Sequence, residues 1–205
     1  MLKTICMKRS GYSLILFFLL PFALSAQPVS NTPAFGTICL SDTEQALFSM
    51  INAYRKQSGL KAVTISKSLS YVARVHAYDL SDNYKSGSRC NMHSWSENGN
   101  WSPCCYTDDH KKAGCMWDKP RELTDYPSNG YEIAFYTSRK YPSPEAFAKD
   151  ILDGWKKSRS HNEVIINKGV WKDIRWEAIG IGISENFATV WFGETEDPAG
   201  KPCEE

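Results

Sequence analysis

Residues 178–193 read Ala178-Ile179-Gly180-Ile181-Gly182-Ile183-Ser184-Glu185-Asn186-Phe187-Ala188-Thr189-Val190-Trp191-Phe192-Gly193. Apolar and small residues alternate through Ile183, and a second apolar run returns after Glu185-Asn186. Strict alternation is the period of a strand, and two such runs around a short polar break read as a hairpin. The isoleucines give one face a complete apolar layer. Gly180 and Gly182 leave the other face bare, so a helix or a large side chain can approach the backbone there.

Working outward, helices are expected to supply that cover. Ser41-Asp42-Thr43-Glu44 is a capping box, in which the serine hydroxyl and the glutamate satisfy each other's backbone amides. Leu47, Met50, Ile51 and Tyr54 follow at helical spacing, and Gly59 supplies a left-handed stop. A second helix is expected from Lys67 to about Asn83, with Leu69, Val72, Ala73, His76 and Leu80 along one stripe. His76 therefore reads as a packed, hydrogen-bonded core histidine. Residues 131–138 read as a strand. Ser143-Pro144-Glu145 starts a third helix, whose Phe147, Ile151 and Trp155 share one face. Residues 84–130 carry no long period and are dense in Cys, Trp, Asn, Gly and Pro. Such a long stretch is usually functional or covalently pinned. Residues 194–205 are polar and hold Cys203, so they read as a tail tied by that cysteine. The pattern predicts one α+β domain over 41–193, with helices covering a mostly antiparallel sheet.

Composition narrows the function. Lys and Arg number 24 against 23 Asp and Glu, so no basic footprint for nucleic acid exists. A 42% hydrophobic share excludes a disordered chain. At the N-terminus, Lys3, Lys8 and Arg9 precede the apolar run Tyr12–Leu24, and Ala26 follows. A basic start, a greasy middle and a small residue read as a secretory signal cleaved after about Ala26. The run contains Pro21 and is shorter than the ~20 residues of a membrane span. Cleavage leaves 27–40 as an N-terminal extension and no spanning segment. The expected product is secreted or periplasmic, with 21 basic against 23 acidic residues, a net −2.

The same cut removes Cys6 and leaves six cysteines: Cys39, Cys90, Cys104, Cys105, Cys115 and Cys203. In an oxidising compartment these read as disulfides. No pair of C-x-x-C knuckles suggests a zinc ribbon. Cys39 and Cys203 sit at opposite ends and are expected to clasp, since chain ends often lie together. The other four tie down the central segment in a pairing that the sequence leaves open.

Four histidines are present. His93, in Cys90-Asn91-Met92-His93-Ser94-Trp95, lies inside the pinned segment, and His161 follows the third helix. Imidazole is the commonest protein ligand for zinc, so a converging pair is a candidate for a weak, open site completed by a carboxylate or water. His110, in Asp108-Asp109-His110, reads as a solvated loop residue. No G-x-S-x-G elbow, no H-E-x-x-H and no phosphate-cradling glycine loop is present. No cysteine stands out as a free nucleophile. Asn100-Trp101-Ser102 matches a glycosylation sequon, a short motif that also arises by chance.

Taken together, several motifs occur in a telling order. They are the capped helix, Leu69-Ser-Tyr-Val-Ala-Arg-Val-His-Ala-Tyr-Asp-Leu80, His93-Ser94, Gly130-Tyr-Glu132-Ile-Ala134, Trp155-x-x-Ser158-x-x-His161, and the hairpin. The chain resembles the CAP superfamily, the cysteine-rich secretory, antigen 5 and pathogenesis-related 1 group (SCP domain), in its bacterial-type branch. The resemblance covers about residues 41–193. It implies an α-β-α sandwich with a central cleft holding two histidines, here His93 and His161, that bind a divalent metal in some members. Three departures stand out. The family's G-E-N-I-A reads Gly-Tyr-Glu-Ile-Ala, which puts Tyr131 at the Glu position and Glu132 at the Asn position. A shift by one points Glu132 away from the cleft unless a bulge restores it, and both outcomes stay open. A second acid is replaced by Ser158. The insert Cys90–Trp117 exceeds that of a minimal bacterial member, and its Glu97 is a candidate substitute acid.

The resemblance implies an exported binding protein, with no nucleic-acid partner, whose cleft takes a lipid, glycan or peptide. His93, Glu132, His161, Tyr131 and Ser94 are its candidate cleft residues. His93 and His161 are the expected ligands of a weakly held Zn2+ or other divalent cation. Trp95, Trp101, Trp117 and Tyr131 are candidate apolar walls. The competing readings are a metal-assisted hydrolase with Glu132 as base, and a structural envelope protein with a vestigial site. The non-enzymatic readings lead, because the ligand set is short.

Overall fold

A computed structural model describes residues 34–203; the leader, Cys6 and the cleavage point after Ala26 lie outside the described residues. The elements, in order, are α1 (Asp42–Gln57), β1 (Thr64–Ile65), α2 (Lys67–Asn83), α3 (Gly114–Trp117), α4 (Lys119–Leu123), β2 (Gly130–Tyr136), α5 (Pro144–Lys157), α6 (Arg159–Ile165), β3 (Ala178–Ser184) and β4 (Phe187–Gly193). The strands form one sheet in the order β1-β3-β4-β2. Only the short β1 runs parallel to its neighbour, so the sheet is mixed but mostly antiparallel.

Alternation sorts the side chains into two layers. Ile179, Ile181, Val190, Phe192 and Ile133 face α1, α5 and α6, where Leu47, Ile51, Ile151, Trp155 and Ile165 complete a buried cluster. Trp155 is almost fully buried, and its indole N–H donates to the Ala134 carbonyl at 3.1 Å. On the other face, Trp191 and Ala178 meet Leu69, Val72 and Ala73 of α2, together with Trp95 and Met116 of the insert. The architecture is an α-β-α sandwich.

Gly180 and Gly182 explain how closely α2 sits. A Cβ on Gly180 would overlap the Leu69 carbonyl, and one on Gly182 would overlap the Ala73–Arg74 peptide. Hydrogen bonds reinforce this contact: the Thr189 hydroxyl donates to the Ala73 carbonyl at 2.9 Å. At the start of α1, the capping box of Ser41 and Glu44 is formed. The buried Glu44 also accepts from the Ile183 amide at 3.0 Å and pairs with Arg74, so one carboxylate joins α1, α2 and β3.

The tail is held by more than its cysteine. Cys39 is bonded to Cys203, and Asp197 accepts from the Ser66 hydroxyl and the Ser68 amide at 2.6 and 2.7 Å. That places a carboxylate at the positive end of α2. The insert is pinned by Cys90–Cys105 and Cys104–Cys115, with Trp95 and Cys104 exchanging backbone hydrogen bonds. Besides α3 and α4 in the insert, two further features escape a periodicity reading. They are the two-residue β1 and the short α6, which begins directly after α5.

Candidate functional site

Glu132 lies on β2 directly opposite Trp191 in an unbroken ladder. No bulge is needed for it to reach the site. The register places Tyr131 on the α5/α6 face and Glu132 on the α2 face, where its side chain is buried. There it meets two imidazoles. His76 Nδ1 bonds to Glu132 Oε1, and His93 Nδ1 donates to Glu132 Oε2 at 2.8 Å. Both oxygens of the carboxylate are thereby taken.

Each histidine is aimed by its own support. His76 projects from the sheet-facing side of α2 and is fully buried. Its Nε2–H donates to the Ser94 carbonyl at 2.9 Å. With donors at both nitrogens the ring is an imidazolium. The Trp95 indole stacks on it, with centroids 4.3 Å apart and planes 6° from parallel. Burial alone would lower the His76 pKa, but the charge and hydrogen bond of Glu132 outweigh it, and the net shift is upward. Burial likewise opposes ionisation of Glu132, yet the charge of His76 and the bonds from both imidazoles hold its carboxyl well below the usual range. The pair is a buried imidazolium–carboxylate.

His93 sits in a tight turn. Its amide donates to the Asn91 side chain at 3.0 Å, and the Ser94 amide to the Asn91 carbonyl at 3.0 Å. Cys90 anchors that turn to Cys105. Because Nδ1 is spent on Glu132, Nε2 is the His93 nitrogen left for a ligand. A carboxylate bonded to one side of an imidazole fixes the orientation of the ring.

His161 comes from α6, in the opposite layer. Two bonds set that helix: the Tyr54 hydroxyl donates to Asn162 Oδ1 at 2.9 Å, and the buried Arg55 donates to the Ile165 carbonyl at 2.6 Å. The His161 ring is partly buried and has no hydrogen-bond partner among the described residues. Burial, aided by the nearby His93, pushes its pKa down to about 4, against the pull of Glu132. It is a neutral imidazole at physiological pH. The charges of both His93 and Glu132 reach His161.

The remaining candidates take other roles. The Ser94 hydroxyl is committed to the Tyr106 amide at 2.9 Å, so this residue builds the turn. Tyr131 points the other way. It packs among Trp117, Trp171 and Trp176, and its hydroxyl donates to Glu194 at 2.8 Å. Glu97 is exposed and makes no bond to the histidines. His76 is the member that sequence reasoning placed in the core without seeing its role. Its place on the same helical stripe as Leu69 and Ala73, which meet Gly180 and Gly182, was the available signal, since that stripe must face the sheet.

These donors fit a metal ion only weakly. With Glu132 spent, His93 Nε2 and His161 are the two nitrogens left, and the described residues contain no cluster of three or more His, Cys, Asp or Glu arranged for a metal. A divalent cation would find a two-imidazole anchor and would depend on solvent or ligand for the rest.

Comparisons with known proteins agree with this fold. An extracellular protein containing an SCP domain from Bacillus anthracis str. Ames has the same fold, with 19% identity and a TM-score of 0.51 over 75% of this chain. The match spans 40% of the Bacillus chain. An outer surface protein from Borrelia burgdorferi matches over 78% of this chain and 98% of its own, at 18% identity and a TM-score of 0.50. Among curated proteins, none matches in sequence. The model of the cysteine-rich secretory protein family matches residues 48–189, and the chain belongs to that family, the CAP family.

Proposed function

We propose that the chain is an exported binding module, whose site is the imidazole pair His93 and His161. The observation that carries this reading is the saturation of Glu132. A carboxylate whose two oxygens each hold an imidazole, and whose pKa lies well below the usual range, is a poor general base. Its work is to charge His76 and to fix His93. That leaves the two imidazoles to contact a polar part of a lipid, glycan or peptide, or to hold a divalent cation such as Zn2+ weakly. Export is supported by the basic-apolar-small leader, by three disulfides, and by relatives that are extracellular or outer-surface proteins. No helix among the described residues is long and apolar enough to cross a membrane.

Titration of the purified protein with Zn2+ alone, followed by calorimetry and by His93 and His161 imidazole NMR signals, tests the site. The expected result is weak binding that His93→Ala and His161→Ala each remove. A metal-dependent hydrolysis of peptides, esters or glycans that Glu132→Gln abolishes would overturn the binding reading in favour of the hydrolase.

A further inference from the structure

Away from the histidines, a cavity of about 750 Å³ opens between the end of α2 and the insert around residues 94–105. That volume lies in the range of small-molecule sites. His93, Glu132 and His161 do not line it. Its walls are fixed in advance. The buried Asp79 accepts from the Ser96 amide and hydroxyl at 2.8 and 2.5 Å, and from the Asn83 amide at 2.9 Å. Asn83 in turn accepts from the Asn98 amide at 2.8 Å. The Cys90–Cys105 disulfide closes the rim. Walls that are already ordered lower the entropic cost of holding a ligand.

The direction of that network decides what would bind. Its protons run inward, from Asn98 to Asn83 to Asp79. What remains toward the open side is acceptor-rich: the exposed carboxylates of Asp82 and Glu97. Three acids line the cavity against one base, Lys85. An anionic ligand is disfavoured, and one rich in hydroxyl and ammonium donors is favoured. Tyr84, braced edge-on by Phe187 at 6.0 Å, adds an aromatic wall. Sugar rings combine these needs, with one C–H-rich face and donors around the edge. We propose that this cavity is a second ligand site, for a short oligosaccharide carrying amino groups.

The probe is a glucosamine tetramer, titrated into the purified protein and followed by calorimetry and by amide NMR shifts. Binding is expected with shifts centred on residues 79–85 and 96–98. The Asp82→Asn/Glu97→Gln double variant, which changes only exposed side chains, should weaken it at least tenfold, and so should Tyr84→Ala. The N-acetylated tetramer, which lacks the charge, should bind at least tenfold more weakly. His93→Ala should leave the affinity unchanged, which separates this site from the histidine pair. Equal binding of tetralysine would reduce the cavity to a negatively charged surface and overturn the proposal. So would shifts centred on His93, Glu132 and His161, or no binding by protein whose circular dichroism is native.

Discussion

Glu132 shows how a buried charge is tolerated. Isolated, it would be costly; here His76 supplies an opposite charge and His93 a further donor. Removing one partner of such a pair leaves the other uncompensated. Glu132→Gln should therefore cost about 3 kcal/mol in denaturant unfolding at neutral pH. The pH dependence has a definite sign. Glu132, with its lowered folded pKa, contributes stability above its unfolded value, and that contribution is lost as acid protonates it. His76, raised in the fold, stabilises below its ordinary value of 6.5, and that contribution is lost as pH rises through its folded pKa. His161 acts in the same direction as Glu132 on the acid side. Between 6.5 and about 4 the unfolded chain takes a proton that the folded ring refuses, so stability falls as the pH is lowered across that window. Imidazole NMR should show His161 neutral at pH 6 with a midpoint near 4; a midpoint near its ordinary 6.5 would contradict its burial beside His93.

At the scale of elements, the contact between α2 and the sheet sets the site. His76 can reach Glu132 only because α2 lies directly on Gly180 and Gly182. A methyl at Gly182 would meet helix backbone, which cannot move aside as a flexible side chain would. Gly182→Ala should destabilise by about 3 kcal/mol. It should also weaken the His76–Glu132 bond, read as a drop in the His76 pKa. A variant that unfolded normally and kept that pKa would show that the helix is not seated by the glycines. On the opposite layer, α1 plays the same part for α6. Arg55, buried and donating to Ile165, Asn167 and Lys61, holds the end of the helix that bears His161.

For the whole molecule, the disulfides divide two tasks. Cys39–Cys203 joins positions 164 apart, and in the chain-entropy view a loop of that size stabilises by about 5 kcal/mol. The two insert bridges close much shorter loops and instead hold the turn that carries His93. Cys39→Ser/Cys203→Ser should lower the thermal midpoint while leaving the His93 NMR signal in place. Cys90→Ser/Cys105→Ser should shift the His93 signal at a smaller cost in stability. If both pairs moved His93 alike, the division would fail.

Local pattern alone determined much of this protein. The capping box, the extent of α2, the glycine-backed hairpin and the α+β class all follow from spacing and cap chemistry, which act over a few residues. The order of motifs pointed to the family and to His93 and His161. What only the tertiary structure decided was how distant groups meet. An ungapped ladder turns Glu132 toward α2, because alternation on β2 is set by pairing with β4. His76, a core residue by its helical stripe, becomes the carboxylate's charged partner because the sheet passes directly beneath that stripe. Tyr131 leaves the site for the same reason. Such contacts span 39 to 56 positions along the chain, and no local periodicity encodes them.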